Sequence, residues 1–531
     1  MPTPMPTLPR TNPAHSSART ESSWFSTAPA LPAFAPLRED LRAEVVIVGG
    51  GIAGLTTAYL LSKEGRDVVL LEDGELASGE SGRTTAHLSN ALDDHYFNLE
   101  SLFGKEGARL AAESHSAAID RIEQIIKDEK IACDFARVDG YLFLHEEGNA
   151  KDLRKELDAA HRAGLREVEY LADAGDVGFR TGECLRFPNQ GQFHIIKYLS
   201  GLAQAITRHG GRIFTQTHVT KVAGGGEAYA ETTEGHTVRA SAGIVVATNT
   251  PFNDQVVMHT KQGSYRTYVI GARVPKGSVA PALFWDMGDP YHYVRVQGGP
   301  TGLRGGADYD VLLVGGEDHK VGQEDHPEGA FDRLEAWTRE RFPYLTGIDF
   351  RWSGQVQEPS DSLGFIGRNP LDDDNVFIIT GDSGHGMTHG TIGGLLVTDL
   401  VLGRENPWAQ LYDPGRITLS LENAKEFVKE NVNVMAEYTE LLTGGDVSKE
   451  EQIKPGEGAV LRRGLTKVAV YKDEAGATHA CSAICPHLGC VVHWNGLEKS
   501  WDCPCHGSRF DAFGALVIGP ANSDLTPVGE E

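Results

Sequence analysis

The chain is predicted to be α/β plus all-β, and three patterns predict it. An apolar run at residues 44–48 enters a glycine-rich turn and then a helical stretch, the usual opening of a nucleotide-binding parallel sheet. Segments that alternate apolar and polar residues recur between 260 and 350, as in an antiparallel sheet with one wet face. In residues 455–531 short strands flank two loops rich in Cys and His, as in a small β-sandwich. With 531 residues, 40% of them hydrophobic and 23% charged, the composition is globular and the length that of several domains. A net charge of −25 repels nucleic acid and anionic membrane surfaces, so neither is an expected partner.

Residues 1–40 are rich in Pro, Ser, Thr and Ala and are expected to form a flexible tail, with Ser23, Trp24 and Phe25 as a local anchor. The strand at 44–48 leads into Gly49, Gly51 and Gly54, with Ile52 and Ala53 at the helix start; Gly65 stops that helix, and a second strand at 67–71 ends in Glu72. Glycines between strand and helix, with an acidic residue 23 positions after the first, form the dinucleotide fingerprint. The glycines admit a pyrophosphate to the helix N-terminus, and Glu72 takes the ribose hydroxyls. The small-residue run that follows contains Arg83, Thr84 and Thr85 and fits a second phosphate-and-flavin contact loop, which favours FAD over NAD.

Long helical periods at 106–127 and 149–163 suggest an inserted domain over about 95–185. The chain then returns through a helix at 197–209, a strand at 212–215 and the segment carrying Val219; a buried strand at 243–249 brings Ala247 to a polar turn over the adenosine half. The alternating strands form a second insertion, 255–350, that roofs the flavin. After a strand at 376–380, Gly381, Gly384, Gly386, Met387 and Thr388 open a helix to 402, another N-terminus suited to an electron-rich group. The FAD unit thus spans 41–413, a helical strut and linker 414–454, and the β module 455–531.

In that module Cys485 and His487 form C-x-H and, fifteen residues on, Cys503 and His506 form C-x-x-H. Each loop supplies one thiolate and one imidazole, which suits a [2Fe-2S] centre of the Rieske type with Cys485 and Cys503 on one iron and His487 and His506 on the other. A tetrahedral zinc site is the alternative for the same four. Cys133, Cys184 and Cys481 read as buried thiols. The one long uncharged stretch, 45–62, holds four glycines and two threonines and belongs to the nucleotide turn, so no membrane span is expected. With no basic-then-apolar leader and no Arg-Arg pair near the N-terminus, the expected location is cytoplasmic.

Together these motifs resemble the FAD-dependent D-amino-acid oxidase/glycine oxidase (DAO) superfamily, and more narrowly its bacterial members with a C-terminal Rieske domain. The resemblance implies a Rossmann-like FAD-binding domain of glutathione-reductase type and a two-electron oxidation of an amine or amino acid at its C–N bond. Electrons would pass from FAD to the cluster and then to an external acceptor, a ferredoxin, a quinone or O2. The alternatives are a reductase or oxygenase component fed through the cluster and a non-enzymatic redox sensor. Rieske proteins commonly carry a disulfide at the positions of Cys490 and Cys505. They also place a serine where Ser508 stands and a tyrosine where this chain has Phe510, which implies a cluster potential below the top of the range. On the substrate side, Tyr293, Arg295 and His385 are the candidate catalytic residues, Arg295 for a substrate carboxylate and His385 for a proton relay; His87 is the candidate for covalent flavin attachment. Glycine-oxidase-like enzymes hold a carboxylate-binding arginine where residues 353–359 here carry glutamines, which leaves room for a polyamine or other amine.

Overall fold

Strand Leu41–Val48 is the axis of the first sheet, because its alternate residues enter two different cores. Val45 and Ile47 pack with helices Ile52–Lys63 and Gly386–Val401 on one face, Val46 and Val48 with Val69, Leu71 and Ile244 on the other. A strand covered on both faces must be apolar throughout, hence the unbroken run in the sequence. The computed structural model describes residues 18–145, 148–253, 258–299, 309–324, 326–418 and 421–528. Val68–Leu71, Thr237–Val246 and Val376–Thr380 extend the sheet in parallel, and Phe365–Arg368 closes one edge antiparallel.

The second sheet runs in the order Gly347–Pro359, Gln262–Pro275, Tyr309–Lys320, His292–Gly298, Leu283–Asp286, Ala136–Phe143, Cys184–Gln192, His87–Leu88. Its pairs are antiparallel apart from Leu283–Asp286 with Ala136–Phe143. The strands of residues 95–185 complete the same sheet as those of the second insertion. The expected wet face is filled too. Helix Glu328–Arg341 lays Phe331 and Leu334 on Tyr268, Ile270, Leu312 and Val314, while Val269 and Leu313 join the main core on the opposite face.

The C-terminal module has one sheet from Gly458–Arg463, Thr466–Lys472 and Thr478–Ser482 and a second from His493–Asn495, Ser500–Asp502, Arg509–Asp511 and Leu516–Ile518. Helix Leu421–Glu437 straps it to the FAD unit. Glu430 meets Tyr265 and Lys320 on the large sheet, whereas Val434, Tyr438 and Leu441 pack on the module's core. Positions 419–420 of the expected strut lie outside the described residues, and Val428, Val432, Met435 and Leu442 are exposed rather than packed.

Residues 1–17 of the expected tail also lie outside the described residues, but from Ala18 onward the segment is built in. Trp24 is fully buried, its indole N–H donates to the Thr84 carbonyl, and its ring stacks edge-on to His194 at 4.9 Å. No helix among the described residues is long and apolar enough to cross a membrane.

Candidate active site and iron–sulfur centre

The glycine turn is shaped by contacts that exclude side chains. At Gly49, where φ is +111°, a Cβ would lie 2.4 Å from the Ala247 carbonyl oxygen; at Gly54 it would lie 2.0 Å from that of Gly49. Strand, turn and helix thus touch through backbone alone, and the N-terminus of Ile52–Lys63 faces a cavity of about 300 Å3. Glu72, at the end of the second strand, accepts the backbone N–H groups of Gly50 and Gly74, and burial outweighs them to push its carboxyl up to about 7.

Gly49, Gly51, Ile52, Ala53, Glu72, Arg83, Thr84, Thr85, Val219, Ala247, Gly381, Gly384, Gly386 and Met387 all line this cavity. Two expected cofactor contacts do not. Gly54 serves the helix–strand approach, and the Thr388 hydroxyl lies 2.8 Å from His115 Nδ1. Arg83 reaches the wall, but its guanidinium is committed elsewhere: Nε donates to the Ser353 carbonyl and Nη2 to the Thr20 carbonyl, both at 2.6 Å. The cavity suits a large polar cofactor, since Gln355 Oε1, Thr250 Oγ1, Asn249 Nδ2 and His389 Nε2 belong to lining residues and are buried without a partner among the described residues.

On the substrate side, alternation over residues 291–295 predicts that Tyr291, Tyr293 and Arg295 share one side; Tyr291 and Tyr293 line the cavity and Arg295 does not. The Arg295 guanidinium donates to the carbonyls of Thr85, Ala86 and Phe193 and lies over the Trp24 ring, so it is a packing group behind the wall and not a carboxylate binder. Tyr293 and Thr267 hydroxyls are 2.8 Å apart. His385 Nε2 accepts the Asp93 N–H at 3.0 Å, and burial pushes its pKa down to about 4, against the pull of Asp94. It is thus a neutral ring that fixes the loop through Nε2. His87 also lines the cavity, with Nδ1 2.9 Å from the Thr85 hydroxyl.

Composition hid how many carboxylates gather here. Asp93 and Asp382 line the cavity, and burial pushes the first up to about 7 and the second to about 6. Behind them the Ser383 hydroxyl lies 2.9 Å from both Asp94 Oδ2 and Glu358 Oε2. One hydroxyl proton serves only one of these oxygens, and burial together with Asp94 raises Glu358 well above the carboxylate range. Among the described residues no arginine or lysine other than Arg83 lines this cavity.

The two Cys/His loops face each other with Cys485 and Cys503 buried and the imidazoles of His487 and His506 4.9 Å apart, centre to centre. Each loop closes on its own backbone, Gly489 N–H to Cys485 O and Gly507 N–H to Cys503 O, both at 3.0 Å. The Cys490–Cys505 disulfide joins them. Two thiolates opposite two imidazoles match the ligand set of a Rieske centre. Ser508 Oγ accepts the Ala521 N–H at 3.0 Å, and Phe510 is fully buried in the same core as both cysteine ligands. Replacing Phe510 by Tyr is expected to add a donor near the sulfurs and raise the midpoint potential within the roughly −150 to +300 mV Rieske range. Redox titration monitored by EPR reads the shift; an unchanged or lower potential opposes it.

The module is seated on the FAD unit by its cluster loop. Gln355 Nε2 donates to Gly507 O at 3.0 Å and Ser264 Oγ lies 3.1 Å from His506 O, while the His259 ring stands 4.7 Å from that of His487. Leu516, Val517, Ile518 and Ala521 of the module line the FAD cavity itself. Sequence reasoning missed all of these contacts.

Residues 44–400 match the family model for FAD dependent oxidoreductases (DAO) and residues 445–528 that for the Rieske [2Fe-2S] domain. The chain belongs to the DAO family of FAD-dependent oxidoreductases and carries FAD and a Rieske [2Fe-2S] cluster. It is 30% identical over 519 residues to the putative Rieske 2Fe-2S iron-sulfur protein YhfW of Bacillus subtilis (strain 168), spanning 97% of this chain and 99% of that protein. It is 26% identical over 399 residues to the gamma-glutamylputrescine oxidoreductase of Escherichia coli (strain K12), 72% of this chain and 89% of the relative. Glycine oxidase from Geobacillus kaustophilus shares the fold, with a TM-score of 0.59 at 19% identity over 71% of this chain and 100% of that one.

Proposed function

We propose that this enzyme oxidises a C–N bond of a small amine that lacks an α-carboxylate, with electrons leaving through the Rieske cluster to an external one-electron acceptor. The observation that carries the reading is the cavity's charge: Asp93 and Asp382 on the wall, Asp94 behind it, and Arg83, the one guanidinium that lines it among the described residues, already bound. Such a wall attracts an ammonium and repels an amino-acid carboxylate. The relative that acts on gamma-glutamylputrescine is consistent with an amine substrate. Bound FAD supplies a two-electron acceptor for hydride, and the cluster a one-electron carrier. The protein's part is to orient the amine between Tyr291, Tyr293 and Asp93, and Asp93 takes the ammonium proton so that the neutral amine reacts.

Anaerobic mixing of the holoprotein with a panel of amines, polyamines and amino acids tests this. Bleaching of the flavin band by amines, weaker with their α-carboxylated counterparts, is the expected result. Its rate should rise with pH through about 7, where Asp93 ionises. Faster bleaching by α-amino acids than by amines would sink the substrate assignment, and no bleaching by any compound would sink the oxidation itself.

A further inference from the structure

The segment 353–359 carries glutamines where similar enzymes hold an arginine, and the structure gives those glutamines another partner. Gln355 is 2% exposed and reaches two sites at once. Its Nε2 donates to Gly507 O at 3.0 Å, one residue beyond the cluster ligand His506. It also lines the FAD cavity, where its backbone N–H donates to Glu80 Oε2 at 2.7 Å and its Oε1 has no partner among the described residues. The contact is close because Gly507 presents bare backbone: with φ at +76°, a Cβ there would lie 2.2 Å from Ser264 Oγ and 2.8 Å from Gln355 Nε2. Ser264 Oγ holds the same loop through His506 O at 3.1 Å and lies 2.9 Å from Gln357 Oε1.

We infer that Gln355 is a positioning residue that seats the His506–Gly507 loop on the wall of the FAD cavity, and that electrons leave the cavity across this contact. The inference rests on the outward electron flow proposed above. Each oxidised C–N bond releases two electrons, so the contact is crossed twice per turnover, one electron to the cluster each time. In turnover an external one-electron acceptor removes it between crossings. Because one amide spans the distance from cavity to ligand loop, loss of its donor should slow passage of electrons from flavin to cluster beyond any change in reduction of the flavin itself.

Pulsed illumination of the anaerobic holoprotein with EDTA, which reduces flavin through its excited state and needs no substrate, separates the two steps. Flavin and cluster absorbance are followed together, and cluster EPR is recorded on frozen samples. In Gln355→Leu the cluster-reduction rate is expected to fall roughly fivefold or more, the effect of losing about one net hydrogen bond in the seated state. The rate is taken per flavin photoreduced, and iron content and the cluster EPR spectrum should match the wild type. Ser264→Ala should lower the same rate by less. Cluster reduction at the wild-type rate in Gln355→Leu overturns the inference; where that variant fails to load its cofactors, an unchanged rate in Ser264→Ala does so. Absence of any flavin-to-cluster transfer in the wild type instead overturns the proposed direction of flow, whatever the variants do.

Discussion

Replacing Glu498 by Ala is expected to destabilise the fold by about 3–5 kcal/mol, the usual cost of removing one partner from a buried charge cluster. Glu498 lies in the C-terminal module, yet its side chain is wholly buried among groups of the FAD unit: Arg266 Nη2 at 3.1 Å, Arg83 Nη2 at 3.9 Å, the Ser353 hydroxyl, and Thr20 through its N–H at 2.8 Å. Without the carboxylate, two buried guanidiniums would lose their largest counter-charge, leaving Glu80 and, for Arg266, Asp502. Burial alone would raise the Glu498 pKa, but Arg266, Arg83 and Arg509 together outweigh it and hold the carboxyl well below its ordinary 4.5. A group depressed on folding stabilises the native state above its unfolded pKa, so this contribution is complete above about 4.5 and is lost as pH falls towards the folded value. Denaturant midpoints for wild type and Glu498→Ala at pH 7 and pH 4 measure both effects, and the difference between the proteins should shrink at the lower pH. A loss under about 1 kcal/mol at pH 7 would mean that solvent reaches the network.

Gly54→Val should abolish tight FAD binding and spare the cluster. The new Cβ would start 2.0 Å from the Gly49 carbonyl oxygen, so helix Ile52–Lys63 must lift off the turn and its N-terminal N–H groups leave the pyrophosphate position. Flavin content per chain is expected to fall at least about tenfold, the equivalent of 1.4 kcal/mol of lost affinity. Iron content and the Rieske EPR signal should stay near wild type, because Cys485 and Cys503 lie in another core and His487 and His506 stand on the same two loops. Wild-type flavin content would show that the turn tolerates the displacement.

Both cofactors were legible in the chain because each is specified by short-range spacing. Gly49, Gly51 and Gly54 must stand at set intervals for strand, turn and helix to meet through backbone, and a cluster needs its Cys and His on two closely spaced loops. Strand alternation carried further and then failed at Arg295. Parity placed it beside Tyr291 and Tyr293, but a long flexible side chain goes where its charge is solvated, here to three carbonyl oxygens behind the wall. Composition likewise predicted a loose N-terminal segment, since residues 18–40 alone cannot bury a core; Trp24 is ordered by a cavity that the rest of the chain supplies.

From local pattern alone, then, come the FAD-dependent oxidoreductase and Rieske families of the two units and the four residues proposed as cluster ligands. Tertiary structure decided how the two redox units are joined: Glu498 among Arg83 and Arg266, Gln355 on Gly507, and Leu516 to Ala521 on the FAD cavity wall. It also decided that the cavity is acidic, by bringing Asp93 and Asp94 to Glu358 and Asp382 from nearly three hundred positions away. The physical reason is the same in each case. These groups have no periodic partner along the chain, and only burial in one shared low-dielectric volume makes their charges and hydrogen bonds depend on one another.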